Sequence, residues 1–259
     1  MNNIYNLSYQ FLINHLPDDF NKKMLEKYFT VDKCNYKNLN DIFERLVISA
    51  QNYQSMPNVI GYASGKNKDS IKSIICDLDF RKILEKYTIN TLYEAFKKKF
   101  DFKISDKSTE THNSWYKFSR SIMTAAEFLN QFKDIYDFRK FVESYSYNDL
   151  TKASLPMLME HEIYGFGFAL CCDFLKEIGY YDYCKPDIHL IDVFSETALC
   201  EKNQYDVFKF LIKTAREENY TPYKLDKIIW LICSGNYYKD DVTAESYKKE
   251  FIEFLKKQL

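Results

Sequence analysis

The chain has 259 residues, of which 46% are hydrophobic and 28% charged, and carries a net charge of −1 at pH 7. A chain of that length buries a substantial core in one large domain or two small ones. The balanced charge excludes a binder working through a global positive field, and the composition excludes a disordered or fibrous chain.

Glycine and proline are scarce, at six and five residues, so connections are few and helices are favoured over many short strands. The 22 tyrosines and 21 phenylalanines read first as core and boundary residues. The opening MNNIYNLSYQFLINHL lacks a basic leader with a cleavage site, and no apolar run approaches ~18 residues, so no membrane span is expected. Seven cysteines, scattered and odd in number, read as reduced thiols of a cytoplasmic protein. Cys171 and Cys172 read as core packing, while Cys184, Cys200 and Cys233 are too widely spaced for a zinc or iron–sulfur loop. No metal site is expected.

In chain order, Asn40 reads as the cap of a helix with its apolar stripe at Ile42, Phe43, Leu46, Val47 and Ala50. Gly61-Tyr-Ala-Ser-Gly65-Lys66 is one residue short of a phosphate loop, lacks the Ser/Thr after lysine, and reads as a plain loop. Asn113 or Ser114 starts the next helix, with Trp115, Phe118, Ile122, Ala126 and Leu129 on one face. Asn148 caps another, running through Leu150, Ala153, Leu155 and Met157. Residues 149–161 and 168–178 form a pair of helices. Beyond Pro186 the helical pattern recurs at Ile188–Cys200, Tyr205–Glu217, Tyr223–Cys233 and Glu245–Leu259. Alternation of period two is rare, and the expected fold class is all-α.

The stretch EIYGFGFALCCDFLKEIGYYDYCKPDIHLIDVF, from Glu162 to Phe194, carries the functional signal. Gly165 and Gly167 sit in a tight corner between two helices, where glycine tolerates positive φ and lets another backbone come close. A helix opening right after Gly167 directs its first-turn N–H groups and positive dipole end out of the corner, a ready site for one phosphate. The alternative is a helix–helix corner with no ligand.

Ile163-Tyr-Gly165-Phe-Gly167, followed by Pro186-Asp187-Ile-His189, resembles the hairpin and downstream aspartate of the helix-hairpin-helix (HhH-GPD) DNA glycosylase superfamily. Upstream, Ile48-Ser49-Ala50-Gln51 resembles that family's L-S-A-Q segment. The resemblance spans roughly residues 40 to 200. It implies a two-lobed helical fold with a cleft between a bundle at 36–180 and a second lobe from 1–35 and 181–259. It also implies a base-flipping DNA glycosylase for base excision repair of DNA damage, with double-stranded DNA containing a modified base as partner and no membrane role. The expected state is a monomer. Strand-cleaving members carry a lysine two residues past the second glycine; that position is Ala169 here. Without that amine the resemblance implies a monofunctional hydrolase, and the missing iron–sulfur cysteines separate the chain from the family's endonuclease III branch. No cofactor is expected, save a monovalent cation the hairpin can hold.

The resemblance assigns Asp187 as the carboxylate beside the cationic sugar, Gly165 and Gly167 as the phosphate grip, and Gln51 as the side chain filling the vacated stack. His189 and Lys185 are candidate phosphate contacts. Tyr53, Trp115, Trp230 and Tyr237 are candidate linings of the base pocket. Each has a structural alternative: helix start for Asp187, capping amide for Gln51, packed histidine for His189, surface lysine for Lys185, core aromatic for the others. Asp192 reads as a solvated or capping carboxylate. Two other function classes stand beside the enzyme, a non-catalytic helix-hairpin-helix DNA-binding protein and a helical protein-interaction domain. The same glycosylase chemistry also serves repair and phage defence alike.

Overall fold

A computed structural model describes residues 3–18, 20–30, 36–52, 56–102 and 113–259. Among these residues the fold is all-α, with fifteen α-helices: α1 (Ile4–Asn14), α2 (Lys22–Phe29), α3 (Leu39–Ser49), α4 (Met56–Ile60), α5 (Lys68–Ile74), α6 (Phe80–Lys86), α7 (Ile89–Phe100), α8 (Ser114–Leu129), α9 (Ile135–Ser144), α10 (Asp149–Glu162), α11 (Phe168–Glu177), α12 (Ile188–Glu196), α13 (Gln204–Glu217), α14 (Pro222–Ser234) and α15 (Lys248–Gln258). Among the described residues strand structure is confined to a two-residue antiparallel pair, β1 (Asn236–Tyr237) and β2 (Val242–Thr243), with Asn236 opposite Thr243.

Asparagine writes many of the helix starts. The side chains of Asn3, Asn21, Asn38, Asn113, Asn148 and Asn203 each accept a first-turn amide, each bond stabilising its helix by about 1 kcal/mol. The cap of α3 is Asn38 rather than Asn40: Asp41 reaches back to the Asn38 amide while Asn38 takes the Asp41 amide, a reciprocal box that starts the helix earlier.

The chain divides into two compact units, Asn35–Phe174 and the paired segments Met1–Cys34 with Leu175–Leu259. In the first, α8 is the central helix and packs against α3, α4, α6, α7 and α10. Its expected stripe of Trp115, Phe118, Ile122, Ala126 and Leu129 is buried throughout. In the second, α14 takes that place, packing against α1, α2, α12, α13 and α15 through Leu225, Ile228, Ile229, Leu231 and Ile232. The turn at Tyr164 is fastened to α8, and the segment at Lys185 is fastened to α14.

Among the described residues, no helix is long and apolar enough to cross a membrane. Cys171, Cys172, Cys184 and Cys233 are buried, and burial pushes the Cys233 thiol up to about 12.

Candidate functional site

In the unit Asn35–Phe174 the glycine corner joins α10 to α11. The N–H of Phe166 reaches the Ile163 carbonyl at 3.2 Å, and Gly167 offers its carbonyl to the amides of Leu170 and Cys171, opening α11. The corner is pinned to α8 on both sides of Tyr164. Its N–H donates to Thr124 Oγ1 at 3.0 Å, and its carbonyl accepts from Ser121 Oγ at 2.8 Å. The Arg120 guanidinium lies 3.9 Å from the centre of the Tyr164 ring, bringing a cation to the rim of the turn.

The two glycines answer to different demands. Gly165 has φ +80°, and a Cβ there would stand 3.1 Å from Ser121 Oγ. The turn itself therefore requires glycine at 165. Gly167 has no positive φ, is exposed, and a Cβ there would come no closer than 3.9 Å to its nearest neighbour, Glu160 Oε1. Nothing among the described residues requires glycine at 167. Ala169, half-exposed in the first turn of α11, offers no amine.

In the unit of the two chain ends, Asp187 caps α12. Its Oδ1 accepts from the amides of His189 at 2.9 Å and Leu190 at 3.3 Å. Its other oxygen makes no hydrogen bond among the described residues. The carboxylate is thus fixed through one oxygen only. Partial burial and the negative charge of Asp226 hold its pKa above the ordinary carboxylate value, against the lowering influence of His189 and the two amides. Beside it, Ile188 is an exposed apolar side chain and His189 is half-buried, with no partner for its Nδ1.

Sequence reasoning missed the ion pair behind this cap. Asp226, on the central helix α14, and Lys176, on the last turn of α11, are both buried and meet at 3.0 Å. The same Asp226 oxygen accepts the backbone N–H of Lys185 at 2.8 Å. A charged residue on the apolar face of α14, between Leu225 and Ile229, is the signal that points to such a partnership. Likewise Ser121, Thr124 and Arg120, which hold the corner, belong to no readable motif.

Other expected residues lie elsewhere. Gln51 is buried, and its Oε1 accepts the amides of Tyr62 and Ala63 at 2.9 and 3.3 Å. This corrects the expectation of a side chain projecting into a duplex: two backbone donors of the 61–67 loop draw the amide inward. Trp115 is also corrected from pocket to core, since it stacks on Phe100 and Phe102 with centroids 4.5 and 5.5 Å away. Tyr237 is buried against Phe20 and Tyr28. Trp230 is half-buried, edge-on to Tyr238 under the Lys227 ammonium. Lys185 contributes its backbone to Asp226, and its side chain is half-exposed. Asp192 pairs with Lys248 and Lys202, which hold its carboxyl below the ordinary value. Tyr53 lies outside the described residues.

No family model matches the chain, and neither does any curated protein. Among solved structures the chain is similar to the 8-oxoguanine glycosylase/lyase of Methanocaldococcus jannaschii, crystallised in complex with a 15mer DNA containing 8-oxoguanine. The two are 18% identical over 86% of this chain and 94% of that chain, with a TM-score of 0.49. A likeness of that degree fixes neither a substrate nor the role of any residue.

Proposed function

We propose that this chain is a DNA N-glycosylase that draws a damaged or modified base out of duplex DNA and hydrolyses its N-glycosidic bond with the help of Asp187. The observation that carries the reading is the carboxylate itself, fixed through Oδ1 by two amides while its second oxygen stays unbonded among the described residues. Gly167 supports it as a glycine that nothing among the described residues needs but a closely approaching backbone would.

Extruding a nucleotide costs a few kcal/mol, least where the base is already mispaired or damaged. The glycine corner, with the opening turn of α11 and Arg120 near by, grips a backbone phosphate. As the bond between C1′ and the base nitrogen lengthens, its electron pair leaves with the base and the sugar becomes positive. Asp187 faces that charge as an anion and stabilises it. Water then adds to C1′ and gives a proton to the free oxygen of Asp187, while the departing base is protonated from solvent. A pKa held above the ordinary value makes this carboxylate a stronger base toward water than a free aspartate. With Ala169 where strand-cleaving relatives of the resembled family carry lysine, water is the final nucleophile and the enzyme is monofunctional.

A panel of duplex oligonucleotides, each bearing one modified base, tests the reading. Incubation should leave an alkali-labile site in at least one duplex, with little strand breakage before alkali. Breakage without alkali would overturn the monofunctional assignment. The absence of labile sites across oxidised, alkylated and deaminated bases would overturn the glycosylase itself.

A further inference from the structure

The proposed chemistry leaves the buried Lys176–Asp226 pair without a task. A buried ion pair is a poor source of stability, because desolvating both charges offsets most of their attraction. Here the pair is tied to Asp187 by an unbroken chain of short contacts. Lys176 Nζ donates to Asp226 Oδ2 at 3.0 Å, the Lys185 N–H donates to that same oxygen at 2.8 Å, and the Asp187 N–H donates to the Lys185 carbonyl at 2.7 Å. Asp226 thus holds the turn that presents Asp187 from the central helix of its unit. Lys176 is itself steadied by the Tyr223 ring, 5.9 Å from its Nζ, and the Tyr223 hydroxyl is anchored on the Tyr28 carbonyl.

We propose that the Lys176–Asp226 pair is the positioning element of Asp187: it fixes the Lys185–Asp187 turn and supplies the neighbouring charges against which Asp187 ionises. The inference rests on Asp187 being the working carboxylate. The groups facing Asp187 are His189 on its own helix and Asp226 and Cys233 on α14; Asp192 and the α15 residue Lys248 lie around Cys233. Of these, Asp226 is the one acidic neighbour that raises the Asp187 pKa, and Lys176 is the cation that counters it. The pair therefore sets two opposed influences on a single carboxylate.

Opposed influences give opposed shifts. In Asp226→Asn the amide oxygen still accepts the Lys185 N–H, the negative charge is gone and the ammonium remains, so Asp187 should ionise at lower pH. In Lys176→Met the carboxylate stands uncompensated, so Asp187 should ionise at higher pH. Each midpoint should move by about half a pH unit or more. Two readouts follow the effect in the intact chain: the carboxyl carbon titration of Asp187 by NMR, assigned with Asp187→Asn, and the acid limb of the pH profile for base release. Merely structural damage lowers activity without moving the two midpoints apart. Because a single variant can fail to fold around an unpaired buried charge, Lys176→Met/Asp226→Leu serves as the charge-free partner, as apolar replacement of a buried pair is well tolerated. It should bind duplex normally and release base at least about tenfold more slowly, for want of the anchored turn.

Midpoints that do not move, or move together, overturn the inference, as does wild-type release by the double variant. Opposed midpoints with no base release from any duplex keep the inference and sink the glycosylase reading. Asp187-dependent release with an unmoved midpoint sinks the inference alone.

Discussion

Replacing the two corner glycines one at a time separates what the fold needs from what a ligand needs. Gly165→Ala forces a Cβ-bearing residue to φ +80° and sets that Cβ 3.1 Å from Ser121 Oγ. The left-handed backbone costs about 1–2 kcal/mol. Displacing the Ser121 hydroxyl from the Tyr164 carbonyl adds about 1 kcal/mol more. A loss of about 2–3 kcal/mol is expected in urea unfolding. Gly167→Ala has neither problem, since its φ is not positive and the nearest atom is 3.9 Å from the added carbon. Its stability should stay within about 0.5 kcal/mol of the parent. A phosphate held by backbone amides at that corner would, however, be pushed away by the methyl group. Loss of one charge-assisted hydrogen bond, about 1.5 kcal/mol, means roughly tenfold weaker duplex binding by fluorescence anisotropy. The salt dependence of binding should not change, because no cation has been removed. Unaltered affinity in Gly167→Ala would refute the phosphate grip, and unaltered stability in Gly165→Ala would refute the reasoning about the turn.

Arg120→Ala should weaken duplex binding and flatten the slope of log affinity against log salt by about one, read from anisotropy titrations at several salt concentrations. Gln51→Ala leaves the Tyr62 and Ala63 amides without their acceptor and should cost about 2–3 kcal/mol in urea unfolding, with duplex affinity unchanged in the folded protein. Folded Asp187 keeps its proton to higher pH than the unfolded chain does, so stability falls as pH rises from the ordinary value of 3.8 through the raised folded one and stays lower above it. Asp187→Asn should therefore melt at higher temperature than the parent near pH 7, with the difference vanishing below pH 3.8, in thermal melts followed by circular dichroism.

The fold was legible because local signals agreed with one another. Apolar stripes at helical spacing and asparagine starts placed α8 and α10 through α14 to within a few residues, and the stripe of α8 is the centre of its unit. The start of α3 lies at Asn38 rather than the expected Asn40, because the reciprocal bond with Asp41 begins the helix two residues earlier. The corner and the Asp187 cap were legible for a similar reason, since glycines flanked by helices and Pro-Asp before an apolar run are local patterns. What stayed hidden depends on contacts distant in sequence. Gln51 turned inward because the loop at Tyr62 and Ala63 offers it two donors, and Trp115 joined the core because Phe100 and Phe102 flank it. The Lys176–Asp226 pair spans fifty residues: an aspartate among the apolar residues of α14 signals that a partner exists, but no local pattern says that it is Lys176.

The most direct test of the account is single-turnover base release by Asp187→Asn, measured beside duplex binding on whichever modified duplex the parent protein processes. Asparagine keeps an oxygen for the α12 cap but removes the anion. Release should fall by about a hundredfold or more while duplex affinity stays within about twofold of the parent. Release at the parental rate, with binding intact, would show that the carboxylate at 187 takes no part in the reaction.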